Sequence, residues 1–252
     1  MELHLQQHKV VSREQWLIAR KAHLMKEKEL TRARDELVRQ RRELPWVKVE
    51  KAYVFDGPDG KETFADLFNG RSQLIVNHFM LGPGWEEGCV GCSFRADHIE
   101  GALVHLEHHD VTVVVVSRAP LAEIDAFKRR MGWRFKWVSS NGSDFNYDYH
   151  VSFTPDELAK GKVYYNYEMQ EGGIEELPGL SVFCMDAAGD IFHTYSTYAR
   201  GAEALLGTYV CLDLTPKGRN ETGSNRNLTD WVRHHDRYGD GGLVDRAGSC
   251  CD

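Results

Sequence analysis

The chain has 252 residues, of which 42% are hydrophobic and 27% charged, with a formal net charge of -7. That length and composition give a chain able to bury a substantial core and exclude wholesale disorder. The acidic balance argues against nonspecific binding to nucleic acid or to an anionic membrane. The first residues, MELHLQQHKVVSREQ, contain no apolar core of a secretory signal, and VTVVVV (Val111 to Val116) is far too short to span a bilayer. A soluble cytoplasmic protein is therefore expected, in a compartment where paired cysteines serve catalysis or metal binding rather than scaffolding.

From Ser12 to about Leu44 the pattern predicts one long helix, opened by a Ser12–Gln15 capping box and closed before Pro45. Trp16, His23, Leu30, Leu37 and Leu44 recur at heptad spacing and form one apolar seam on a charged rod. Such a seam packs along its own domain or against a second copy, so a homodimer through this helix is expected.

VKVEKAYVF then alternates like a strand and DGPDG reads as a turn. TFADLF forms a short helical turn ended by Asn69–Gly70, and SQLIVNHFML is an apolar strand. Cys92 to His109 predicts a helix, and VTVVVVS a strand buried on both faces. APLAEIDAFKRRMG is a helix with Pro120 at its start and Gly132 at its end. FKWV and VYYNYEM are short strand candidates, and PGLSVFCMDAAGDIFHTYSTY predicts an antiparallel hairpin. GAEALLGTYVCLDL reads as the last helix, after which the chain turns polar and ends in DRYGDGGLVDRAGSCCD.

This order predicts an α/β protein: a mixed sheet flanked by helices, of thioredoxin-like type, preceded by a long N-terminal helix. The expected organisation is a helical arm over residues 1–46, a thioredoxin-like domain over 47–238 and a tail over 239–252.

Between the apolar strand and the next helix stands GCVGC, with Cys89 and Cys92 in C-x-x-C spacing. At a helix start the free N–H groups favour a thiolate on the first sulfur, while the second lies one turn along, within reach to close a disulfide. Cys89 is the expected nucleophile and Cys92 the resolving thiol. Arg95 and His98 on the first helical turns, and Asn77 or His78 on the preceding strand, are candidates for tuning the thiol pKa values. Pro178, immediately before the strand of the hairpin, is expected to be cis and to shape a substrate groove with Trp85 and Gly88. Substrate would be a disulfide-bearing protein or small molecule, with a thiol reductant returning electrons and no cofactor. A metal site would need ligands beyond the pair, from His78, His98, His193 or Cys184. Cys250 and Cys251 are candidate auxiliary thiols, while Cys184 and Cys211 read as packing residues.

The stretches LPWVKVEKAYVFDGPDG, ADLFNGRSQLIVNHFMLGPGWEEGCVGCSFRAD and LPGLSVFCMDAAGDIFHTYSTYARG resemble bacterial thioredoxin-like proteins of unknown function described as predicted dithiol-disulfide oxidoreductases. The resemblance runs from about Ser12 to about Tyr238. It implies a thioredoxin-like fold nearer the peroxiredoxin-type branch, with the C-x-x-C as active site. Thioredoxin carries Trp before its first cysteine and Gly-Pro between the two, where this chain has Gly88 and Val90-Gly91. Peroxiredoxins carry Thr three residues before the peroxidatic cysteine, where this chain has Glu86. A thiol peroxidase, or a thioredoxin-fold protein that binds a soft metal without catalysis, remain the alternatives.

Overall fold

The structure is a computed structural model, and it describes residues 8–219 and 231–239. It forms two compact units, one holding the described residues up to Pro45 and the other those of Trp46–Gly242.

The first unit is helix α1, Arg13–Arg42. Ser12 caps it: its hydroxyl accepts from the Gln15 N–H while the Gln15 side chain accepts from the Ser12 N–H, both at 3.3 Å. Arg39, Arg41 and Arg42 in the last turn complement the negative end of the helix dipole.

The second unit runs β1 (Val47–Lys48), β2 (Val54–Gly57), β3 (Gly60–Thr63) and a 3-10 turn at Asp66–Phe68. Strand β4 (Gln73–His78) and helix α2 (Val90–Ala96) follow, then a 3-10 turn at Glu100–Ala102, α3 (Leu103–His108) and β5 (Val111–Ser117). Next come α4 (Leu121–Arg130), β6 (Lys136–Ser139), α5 (Phe145–Asp148), α6 (Pro155–Ala159), β7 (Lys162–Tyr165) and β8 (Glu168–Glu171). The hairpin β9 (Gly179–Met185) and β10 (Ile191–Tyr198), a 3-10 segment at Ala199–Leu205 and α7 (Gly207–Leu212) complete the main body, with a last 3-10 turn at His235–Arg237.

Eight strands form one sheet in the order β1-β10-β9-β4-β5-β6-β2-β3, and β7 and β8 pair separately. Strands β4, β5 and β6 are parallel, and β9 and β10 are antiparallel additions beside β4. The inner order β10-β9-β4-β5, with a helical crossover between the two parallel strands, is a thioredoxin-like core. It matches the expected α/β mixed sheet with flanking helices and a long N-terminal helix.

Strand β5 explains why the sheet is central. Val114, Val115 and Val116 are fully buried, as β-branched residues covered on both faces would be. Alternation sends Val114 and Val116 into a core with Phe55, Phe64, Phe145 and Phe183. Val115 faces the other core, with Phe79, Phe127, Trp133 and Trp137. Each of those side chains adds roughly 1.5–3 kcal/mol of burial.

Four expectations need correction. VKVEKAYVF is two strands on opposite sides of the sheet, because residues 49–53 leave β1 and re-enter as β2. The expected helix from Cys92 to His109 is broken into α2, a 3-10 turn and α3, where the Asp97 carboxylate is held by the Trp133 indole N–H at 2.8 Å. VYYNYEM is a hairpin: Asn166 and Tyr167 both take positive φ (52° and 68°), the pair of values a two-residue primed turn requires. The last expected helix is a 3-10 segment followed by the short α7. Much of the predicted tail, including Cys250 and Cys251, lies outside the described residues.

Candidate active site

The parallel strands deliver the chain to one end of the sheet. Beyond β4, Phe79 N–H bonds the Val116 carbonyl and Ala119 N–H bonds the Leu81 carbonyl, so the pairing carries on past the strand. The loop then turns back, and Cys89 N–H donates to the Met80 carbonyl at 3.0 Å. Gly88 is required by space: a Cβ there would lie 2.4 Å from the Phe79 ring and 2.7 Å from the Phe127 ring. Backbone this close to two rings leaves room for no larger residue.

Cys89 is the N-cap of α2, and its sulfur accepts the Cys92 N–H at 3.4 Å. The two cysteines differ in setting. Cys89 is half-buried, while Cys92 is buried against Phe79, Ala96 and Val115. The hydrogen bond from the Cys92 thiol leads in lowering the Cys89 pKa to about 6, helped by the backbone N–H groups of Cys92 and Gly91 and the charge of Arg95, against burial. The same sulfur–sulfur hydrogen bond, with burial, raises Cys92 well above its ordinary value. The first thiol is poised to ionise and the second to keep its proton.

Arg95, on the same helix, is buried and donates through Nη2 to the carbonyls of His78 (3.1 Å) and Gly179 (3.3 Å). His78 and Gly179 face each other across β4 and β9, so this guanidinium pins the end of β4 to the start of β9, next to Pro178.

His78 projects to the far side of the sheet, stacked 5.9 Å from Tyr149, with Nε2 2.8 Å from the Ser181 hydroxyl. Burial first, then Arg95 and His193, push its pKa down to about 3, so it is a neutral ring. Strand alternation is the reason it does not face the thiols: Asn77 shares the Val115 side, and His78 the opposite one. Asn77 is buried, and neither its amide nitrogen nor its oxygen has a hydrogen-bond partner. His98 is also turned away. Its Nε2 accepts the Thr208 N–H at 3.0 Å and its Nδ1 lies 2.7 Å from the Phe94 carbonyl, so it ties α2 to the start of α7.

Pro178 leads directly into β9, and its carbonyl accepts the Tyr165 hydroxyl at 2.6 Å. The expected cis bond is absent: the described residues contain no cis peptide. Leu177 N–H donates to the Val151 carbonyl and Phe153 N–H to the Glu175 carbonyl, holding the approach extended, and trans is the ordinary state of an X–Pro bond. Trp85 is anchored by its indole N–H to Glu175 at 2.8 Å. Arg118, at the end of β5, grips Glu176 (2.6 Å) and Glu175 (2.9 Å).

Tyr165 and His234 were not legible from the sequence. The Tyr165 hydroxyl lies in the field of Arg95 and Cys92, and burial leads in raising its pKa to about 12. The buried His234 reaches back to the Gly88 carbonyl at 2.9 Å. Glu87, which would oppose a thiolate, is occupied by Arg130 (3.0 Å) and Arg237. Among the described residues, no group of three or more His, Cys, Asp or Glu side chains could hold a metal ion.

Fold and site together define a thioredoxin-fold protein with a C-x-x-C dithiol at a helix start. The chain belongs to the family described as bacterial protein of unknown function (DUF899), whose profile matches residues 5–238. Among curated proteins nothing matches it. Similar solved structures include a peroxiredoxin Q of Xanthomonas campestris, at 13% identity and TM-score 0.41, covering 63% of this chain and 90% of that one. Peroxidoxin BcpB of Mycobacterium tuberculosis is similar at 10% identity and TM-score 0.43, covering 66% of this chain and 95% of that one. The mitochondrial 2-Cys peroxiredoxin of Plasmodium falciparum is similar at 15% identity and TM-score 0.39, covering 64% and 88%.

Proposed function

We propose that this protein is a thiol-disulfide oxidoreductase acting through Cys89 and Cys92. The observation that carries this reading is the asymmetry of the pair: a half-buried Cys89 whose sulfur accepts an N–H at a helix start, beside a buried Cys92 that holds its proton. The Cys89 thiolate attacks one sulfur of a substrate disulfide, forming a mixed disulfide and releasing one substrate thiolate. Cys92 then gives up its proton and attacks the Cys89 sulfur, releasing the second substrate thiol and leaving a Cys89–Cys92 disulfide. A thiol reductant returns the two electrons. The Pro178–Gly179 start of β9, Trp85 and Gly88 are the surroundings proposed to receive a disulfide-bearing protein or small molecule.

A model-disulfide reduction assay tests this. Cys89→Ser should fall to the uncatalysed background, and Cys92→Ser should accumulate a mixed disulfide visible by mass spectrometry. Full activity in Cys89→Ser ends the proposal. A thiol peroxidase is the second reading, favoured by the low pKa of Cys89 beside a buried cation. There the thiolate would attack one peroxide oxygen, breaking the O–O bond and expelling hydroxide, which leaves as water. The resulting sulfenic acid would condense with the Cys92 thiol to a disulfide and a second water. Hydrogen peroxide consuming the Cys89 thiol far faster than a free thiol would select that reading.

A further inference from the structure

Arg95 is unusual for a buried cation. Its side chain sits in the interior, its Nε has no hydrogen-bond partner, and Nη2 bonds only neutral backbone carbonyls. No salt bridge joins Arg95 to a carboxylate among the described residues, and the carboxylates of the surrounding loops have cations or hydrogen-bond donors of their own. Glu87 pairs with Arg130 and Arg237, Glu175 and Glu176 pair with Arg118, and Asp97 holds Trp133 and His235. His78, whose carbonyl receives the guanidinium, is a neutral ring and supplies no negative charge. A buried charge without a counter-charge is costly, and interior charges are ordinarily paired. The group left to balance Arg95 is the Cys89 thiolate at the start of the same helix, whose charge Arg95 favours.

We propose that Arg95 is a positioning residue that favours the reduced form of Cys89 and Cys92, so that their disulfide acts as an oxidant of partner dithiols. This rests on the thiol-disulfide reading above and runs the same reversible exchange in the opposite sense, so that the net flow is oxidation of the partner rather than reduction of a substrate disulfide. Closing the disulfide removes the thiolate and leaves the guanidinium without compensation; opening it restores the pair. A partner thiolate attacks the Cys89 sulfur, and the breaking S–S bond sends its electron pair to Cys92, which takes up a proton. The partner's second thiolate then attacks the mixed disulfide, expelling Cys89 as a thiolate and leaving the partner with a new disulfide. Low basicity makes Cys89 the better leaving group for that second step. A low-molecular-weight disulfide such as glutathione disulfide would reoxidise the pair. Asn77, also buried and unpartnered on the same side of the sheet, is neutral and cannot take the counter-ion's place.

The test is the equilibrium of Cys89 and Cys92 in graded glutathione buffers, read by alkylation and mass spectrometry, on the wild-type chain and on Arg95→Met and Arg95→Lys. Arg95→Met should raise the equilibrium constant for disulfide formation by about tenfold or more, equal to about 30 mV for a two-electron couple. The Cys89 thiolate, followed by its ultraviolet absorbance, should titrate at higher pH in that variant. Arg95→Lys should restore most of both values, because charge and not shape is the cause. A second measurement needs no variant: the reduced wild-type protein should resist urea better than its oxidised form. An oxidised form more stable than the reduced one, or an equilibrium and titration unmoved in Arg95→Met, overturns the proposal. Failure of Cys89 and Cys92 to pair in any buffer overturns the oxidoreductase reading itself, which is a different result.

Discussion

Cys89 and Gly88 are neighbours under different constraints, one electrostatic and one steric. Cys89 drops from an ordinary 9.0 to about 6, chiefly through the Cys92 thiol hydrogen bond. In the wild type its alkylation rate by iodoacetamide should therefore rise through about pH 6, and in Cys92→Ala the midpoint should lie higher. The sign for stability follows from a depressed folded value. The reduced protein gains from Cys89 as pH rises from about 6 towards 9 and loses that gain as pH falls through 6. Urea denaturation of wild type and Cys89→Ala across that window would reveal the slope. Gly88→Ala drives a methyl into the Phe79 and Phe127 rings, and overpacking of this kind costs about 1–3 kcal/mol. That loss should appear in the urea midpoint together with altered Cys89 reactivity, since the Gly88 carbonyl also anchors His234.

At the scale of elements, the dithiol loop is held from two sides. On one, Arg118 at the end of β5 joins Glu175, Glu176 and, through Glu175, Trp85. Glu176 is almost fully buried and also accepts the Ser152 hydroxyl at 2.7 Å; burial leads in raising its pKa. Arg118→Ala leaves that carboxylate buried without its cation, and breaking such a pair costs about 3–5 kcal/mol. The deficit should shrink as pH is lowered and Glu176 takes a proton, which chemical denaturation at pH 5 and pH 8 would reveal. On the other side, residues 231–239 return to the site. Val232 is buried with Phe94 and Tyr209, and His234 meets Gly88. A chain ending at residue 219 should unfold at lower urea concentration and expose Cys92 to native-state alkylation faster than the full chain does.

For the whole molecule, the heptad seam that runs from Trp16 to Leu37 along α1 and on to Leu44 just past its end is proposed to join two copies, and sedimentation across a wide concentration range should find a dimer that Leu30→Glu with Leu37→Glu dissociates. No described helix is long and apolar enough to cross a membrane. Much of the architecture follows from short-range pattern. The β-branched run 111–116, the capping box at Ser12 and the Gly-punctuated hairpin at residues 186–190 each specify their element locally, and the C-x-x-C between strand and helix marks the dithiol. What a one-dimensional reading could not supply was which groups converge on it. Asn77 and His78 are adjacent in sequence yet lie on opposite faces of β4, because the register with β5 decides which side each takes. His98 is one turn beyond Arg95, but its ring is tied to the start of α7 while Arg95 is turned to the His78 and Gly179 carbonyls at the ends of β4 and β9. Tyr165 and His234 lie 73 and 142 residues beyond Cys92, and their arrival there depends on long-range packing that no local spacing encodes. The sequence by itself determined most of the elements, their order and the cysteine pair between strand and helix, because those depend on local periodicity and spacing. Only the tertiary structure decided the charge and hydrogen-bond environment of that pair, because burial and electrostatics act between residues distant in the chain.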